Sequence, residues 1–416
     1  MKPAWTDESQ ALVLWRALLA ISTPSQTSVA FSDMRYREIF ETLASLLKIS
    51  KQVPEHHKRD FVRAGCLETI TAGKLSLDSV IPEIEMRTAD YLRRHQKKFV
   101  LVTTLSIKWP SPIKRLTHND ARIVISESVP RKFNRLHVQE KSLLPSVPPT
   151  TYSFVQISVT ARCEHSAAEK ALRSLDIVRA LWNLYFNRRK TWRITTARPN
   201  PVNGIVLGPF HTIHLPDGSA PTDLYWWEPS YIKESQPLDL TSEGQNIRKA
   251  ERWLKSLFQN SPLRGFAEQA LLRYVRALDA PDIKSSFLQL WSVLEYLTCT
   301  EKMGYERTIA RALFVFKDKD YHQAILNRLR NERNQLVHEG RDSDQTELSL
   351  YNLLLYANES LMTLIQVAHQ FENTQDFAVF LDLPSDSSAL EQRGRALNRQ
   401  VDAVRYAKKI FAGPIS

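Results

Sequence analysis

Apolar residues recur at helical spacing through segments 8–21, 34–49 and 55–72, so the first ninety or so residues are predicted to be helical. From about residue 98 the period shortens. Phe99–Leu105 and Arg122–Ile125 are rich in β-branched residues, and Phe154–Val159 alternates apolar with polar positions, as a half-buried strand does. Pro145, Pro148 and Pro149 mark a loop between two of these strands. A helix is expected from Ala167 to Asn187. Seven prolines then punctuate residues 197–240, which reads as loops, short strands and the domain boundary. Beyond Thr241 the pattern is almost purely helical, with helices expected over 243–258, 264–279, 282–300, 304–316, 320–339, 345–371 and 387–411. Pro281 follows Asp279-Ala280 at one helix start, and Gly340 stands just past another helix end. Leucines on more than one face of Leu348–Ala368 predict a central bundle helix. The expected fold class is therefore α+β: a mixed region over 1–240, then an all-α helical bundle over 241–416.

Composition narrows the function. The chain has 416 residues, enough for two modules, with 43% hydrophobic and 24% charged residues, a normal globular balance. Three dispersed cysteines, Cys66, Cys163 and Cys299, exclude a disulfide scaffold and a cysteine-rich zinc module, and the chain reads as cytoplasmic. No membrane partner is expected. The best apolar run, Ala11 to Ile21, is short, is interrupted by Arg16, and follows Asp7 and Glu8 rather than basic residues. Glycine is scarce, and no phosphate-binding glycine loop, nucleophile elbow or zinc-protease motif is present. The net charge of +11 is unevenly spread: residues 51–200 hold 27 Lys+Arg against 13 Asp+Glu. A confined basic field suits nucleic acid or another polyanion, and a basic surface that serves only solubility is the alternative.

The most informative helix is 320–339. Its apolar positions Ile325, Leu326, Leu329, Leu336 and Val337 suggest a stripe in which Arg333 occupies a place where a leucine is expected. An arginine there is costly unless paired, and such exceptions mark functional residues more often than chance. Asn334 and His338, four residues apart, share a face beside it. His338 falls in the last turn, where the helix dipole favours the imidazolium. The alternative is a histidine that only caps the helix beside a solvated Arg333.

Arg333-Asn334-Gln335-Leu336-Val337-His338 has the R-N-x-x-x-H form of the motif of HEPN-domain ribonucleases. Over roughly 245–375, with Trp291 and Glu295 on an upstream helix and a long apolar helix after the motif, the chain resembles the ApeA-like HEPN group of bacterial antiphage proteins. This resemblance implies an RNA endonuclease that uses neither metal nor cofactor, with Arg333, Asn334 and His338 catalytic. It also implies a homodimer through the HEPN domain, in which two motifs form one composite site. The expected role is antiviral defence by abortive infection, cutting cellular RNA such as tRNA after a phage-derived trigger. A non-catalytic HEPN module that binds RNA or protein, and the toxin of a toxin–antitoxin pair, are the alternatives.

Several further residues are candidates. Glu295, beside Trp291 at the edge of the stripe Ile283, Phe287, Leu290, Trp291, Leu294 and Leu297, could orient Arg333 or His338, or be a rim carboxylate. Arg307 and Arg311 at i and i+4, and Arg188-Arg189-Lys190 after an apolar helix, could track an RNA backbone or be solvated charges. Tyr225-Trp226-Trp227 could stack bases or pack beneath a loop. His56-His57 and His211-x-x-His214 have metal-ligating side chains, but neither pair has an evident third ligand.

Overall fold

The computed structural model describes residues 2–109, 113–133, 152–188, 201–228, 231, 236–241, 243–258, 261–338 and 346–411. The chain is α+β and divides into two compact units. The first comprises the residues through Lys97 together with Thr160–Ser166, and the second comprises Lys98–Val159 and the chain from Ala167 onward. The boundary expected near residue 240 falls inside the second unit.

In the first unit four helices, α1 (Glu8–Ala20), α2 (Tyr36–Leu46), α3 (Glu55–Thr71) and α4 (Val80–Arg93), surround a core that includes Trp15, Leu18, Leu43, Val62 and Ile84. Asp7 caps α1 by accepting the Gln10 N–H at 3.0 Å. The Trp15 indole N–H donates to the Leu75 carbonyl at 2.8 Å, so this large ring is buried without an orphaned donor. Gly65 lets α3 approach α4, because a Cβ there would lie 3.1 Å from Ile84 Cγ1.

The second unit is built on a six-stranded sheet. Its strands are β1 (Lys97–Leu105), β2 (Ile113–His118), β3 (Ala121–Ser126), β4 (Ser153–Ala161), β5 (Phe210–His214) and β6 (Tyr225–Trp227), in the order β6-β5-β1-β4-β3-β2. The three segments predicted as strands all lie in it. The alternation read from Phe154–Val159 is observed: buried and half-buried residues alternate along the whole of β4. Asn119 turns the β2–β3 hairpin with φ at +53°, a conformation its short polar side chain tolerates. The proline-rich loop expected around Pro145–Pro149 lies outside the described residues.

Helix α5 (Glu164–Asn187) follows β4. After it come α6 (Gly244–Phe258), α7 (Arg264–Asp279), α8 (Ile283–Leu297), α9 (Tyr305–Ala312), α10 (Lys319–His338), α11 (Thr346–Val367), α12 (Thr374–Leu381) and α13 (Ser387–Phe411). Phe287, Leu290, Trp291 and Leu294 of α8 are buried, as are Leu350, Leu353, Ala357 and Leu361 of α11, the expected central helix; the two helices pack on each other. Each fully buried side chain of this size contributes roughly 1.5–3 kcal/mol.

A buried polar network explains why no boundary falls at 240. Arg179 of α5 is 1% exposed and forks onto Asp279 at the end of α7, at 2.9 and 2.6 Å. It also donates to Asp176 at 2.8 Å and to the Ile205 carbonyl at 3.1 Å, while Asn203 donates to Asp279 at 2.8 Å. Burial disfavours the Arg179 cation, but Asp279 and Asp176 outweigh it and hold the guanidinium charged. The proline-punctuated segment is thus stitched into the helices on either side of it in sequence.

Candidate active site

The buried row of α10 is Leu326, Leu329, Glu332 and Leu336. The sequence pattern placed Arg333 in that row; the structure puts Glu332 there, one residue earlier, and leaves Val337 48% exposed. Leu326, Leu329 and Leu336 lie on one line through position 332 or 333, and the exposed Val337 is what drew the expected stripe to the wrong side. Glu332 accepts a hydrogen bond from the Ser349 hydroxyl and pairs with Arg328 at 3.4 Å. Arg328 itself reaches Ser349 at 2.9 Å, so this triad fastens α10 to α11.

Arg333 is half-buried on the shoulder of that row. Its guanidinium carbon lies 5.4 Å from the centroid of the Tyr305 ring, at the start of α9, and its Nη1 donates to Asn334 Oδ1 at 3.3 Å. The ring supports the cation without neutralising it. Among the described residues no carboxylate is bonded to Arg333. Its neighbour Arg330 pairs with Glu306 at 3.4 Å, a second tie between α10 and α9. His338 ends α10, one turn beyond Asn334, and its side chain lies outside the described residues.

Glu295 enters the same neighbourhood through aromatic rings. The Trp291 indole N–H donates to Glu295 Oε1 at 2.8 Å, and Trp291 meets Tyr305 edge-on at 6.1 Å. A continuous path therefore runs Glu295–Trp291–Tyr305–Arg333. Glu295 steadies the indole and touches Arg333 only through that path; the sequence left it open as a partner of Arg333 or His338 or as a rim carboxylate. No family model, no curated protein and no solved structure matches the chain.

The other candidates separate into distinct environments. Arg311 is 3% exposed; its guanidinium forks onto Asp382 with both bonds at 2.8 Å and donates to the Thr298 and Cys299 carbonyls. Hydrogen bonds from this fork hold the Asp382 carboxyl below the usual carboxylate range. Arg311 is thus a buried clamp and not the phosphate-facing cation the i, i+4 spacing suggested. Arg307 is about half exposed and shares Asp382 at 2.5 Å. Arg188, just past α5, reaches Glu359 at 3.2 Å, whereas Arg189 and Lys190 lie outside the described residues. Trp226 and Trp227 line an open pocket of about 510 Å³ with His211, Arg276 and Gln289. His211 and His214 are buried in β5, bonded to Thr103 at 2.7 Å and Thr212 at 2.8 Å, and belong to the sheet. Among the described residues no helix is long and apolar enough to cross a membrane.

Proposed function

We propose that the chain is a metal-independent RNA endonuclease of the HEPN type, acting in antiphage defence by abortive infection on cellular RNA such as tRNA. One observation carries the reading. Arg333, held on the face of Tyr305, stands beside Asn334 one turn before α10 ends at His338, and among the described residues no carboxylate is bonded to it. A guanidinium supported in this way is preorganised for an anion, and its fork matches two oxygens of a phosphorane. In the proposed reaction the RNA 2′-oxygen bonds to the adjacent phosphorus as the bond to the 5′-oxygen breaks. One His338 takes the 2′-hydroxyl proton, and a second His338, from a partner copy, protonates the departing 5′-oxygen. Asn334 orients Arg333 or the phosphate.

The basic excess in residues 51–200 supports a polyanionic substrate. A phage-derived molecule acting on the N-terminal part as the trigger completes the proposal. The test is incubation of the purified protein with total RNA in excess EDTA, beside His338→Ala and Arg333→Ala. Cleavage by the parent and none by either variant supports the reading. Activity that vanishes in EDTA and returns with magnesium or manganese overturns the mechanism.

A further inference from the structure

Within the first unit, three metal-ligating side chains distant in sequence come together. His56 and His57 occupy the first turn of α3, directly after Pro54. Cys163 immediately precedes α5, and its sulfur accepts the Ser166 N–H at 3.4 Å, which fixes it at that helix start. His57 Nε2 lies 3.1 Å from Cys163 Sγ, and the ligating atoms of His56, His57 and Cys163 all fall within 4.8 Å of one another. The two imidazoles are tilted together at 4.2 Å between centroids.

We propose that His56, His57 and Cys163 form a binding site for a zinc-class transition-metal ion. The chemistry of the set selects the class. One thiolate and two imidazoles are borderline-soft donors, suited to a tetrahedral ion and poorly matched to calcium or magnesium, which take oxygen ligands. Zinc bonds of about 2.0–2.3 Å place ligating atoms roughly 3.3–3.8 Å apart, a spacing close to the 3.1 Å between His57 Nε2 and Cys163 Sγ and inside the 4.8 Å that spans the whole set. Water takes the fourth position.

The surroundings are those of an oriented site. Cys163 is 6% exposed and packs with Val53 and Tyr91. The face of His57 is set by Phe61 and Tyr91, at 5.7 and 4.6 Å between centroids. Asp60 lies 4.0 Å from His57 Nδ1, on the ring edge opposite the sulfur, so it favours the tautomer that leaves Nε2 free to ligate. Ser166 bridges Cys163 Sγ at 3.1 Å and the Tyr91 hydroxyl at 3.0 Å, leaving the sulfur held from two sides. An ion here ties the α3 start to residues a hundred positions downstream. The site shares no residue with the Arg333 cluster, and no step of the proposed RNA cleavage runs through it.

The test uses the full-length chain without a polyhistidine tag, its thiols reduced, titrated with cobalt(II) as a spectroscopic stand-in and then with zinc(II). One cobalt per chain is expected, with intense visible bands of a tetrahedral ion and a near-ultraviolet sulfur-to-cobalt transition, both displaced by zinc. Cys163→Ser is expected to remove the sulfur band, and His56→Asn to weaken zinc binding at least about tenfold. Circular dichroism of both variants checks that they fold. Absence of the sulfur band from folded parent protein overturns the site. So does unchanged affinity in folded His56→Asn, or a sulfur band that survives in Cys163→Ser and therefore belongs to Cys66 or Cys299.

Discussion

At the scale of single residues, Arg333 and Glu332 show how one position along a helix separates structure from proposed chemistry. Glu332 is buried and committed to Ser349 and Arg328; Arg333, next in sequence, is rotated by about 100° and among the described residues meets no carboxylate. Arg333→Lys is therefore expected to lower RNA cleavage by about a hundredfold or more, because an ammonium has no fork to span two phosphorane oxygens. Initial rates on a defined RNA check this, and a lysine variant near the parent rate would reduce Arg333 to a simple charge. His118 gives a prediction about stability. It is 3% exposed, packs edge-on against Phe258 at 4.8 Å, and burial pushes its imidazole down to about 4. Above pH about 6.5 the ring is neutral in both folded and unfolded chains. As pH falls toward 4 only the unfolded chain takes up the proton, so stability is lost across that window, by up to about 3 kcal/mol. Urea titrations at pH 7 and pH 4.5 should show a difference that shrinks in His118→Leu. An equal loss in that variant would assign the acid sensitivity elsewhere.

At the scale of elements, the helices and strands with strong periodicity were legible, and the errors have identifiable physical sources. Strand β4 alternates and α8 carries a continuous apolar stripe, so each announced itself. Segment 304–316 was read as one helix, whereas α9 ends at Ala312 and tightens into a 3-10 turn through Val315. Helix α12 is only eight residues long and was not foreseen as a separate element. The spacing of Arg307 and Arg311 was real, but spacing gave no view of Asp382, some seventy residues away, which turns Arg311 into a clamp. Cys163 was likewise invisible as a companion of His56 and His57, because only the tertiary fold joins them. The boundary near 240 was inferred from prolines, while the Arg179–Asp279 network binds across it. Arg179→Leu is expected to cost about 3–5 kcal/mol in denaturant unfolding, since Asp279 and Asp176 are left buried and unmatched. The double change Arg179→Leu with Asp279→Leu should recover part of that loss. A single variant within 1 kcal/mol of the parent would show that the network is dispensable.

At the scale of the whole molecule, the proposed chemistry asks for two copies. One motif supplies one arginine and one histidine, whereas attack and departure each need a proton transfer. The buried apolar residues of α8 and α11 belong to the core of the chain. Helix α13 is different: it has no buried residue, and Leu390, Leu397, Val404 and Phe411 stand exposed at seven-residue intervals with Val401 between them. That spacing is the seam of a helix pair. A homodimer is therefore expected in analytical ultracentrifugation at micromolar concentration, weakened by Leu397→Glu with Val404→Glu. A monomer that cleaves RNA at the same concentration would contradict the composite site.

In the proposed reaction a 2′-hydroxyl, not a metal-activated water, attacks the phosphorus beside Arg333. The ends of the cut RNA report this most directly. Cleavage by the parent protein in EDTA should leave a 2′,3′-cyclic phosphate on one fragment and a 5′-hydroxyl on the other, read by mass spectrometry of a short defined RNA. Fragments carrying a 3′-hydroxyl and a 5′-phosphate would contradict the account, and so would an RNA left intact by a folded dimer bound to its trigger.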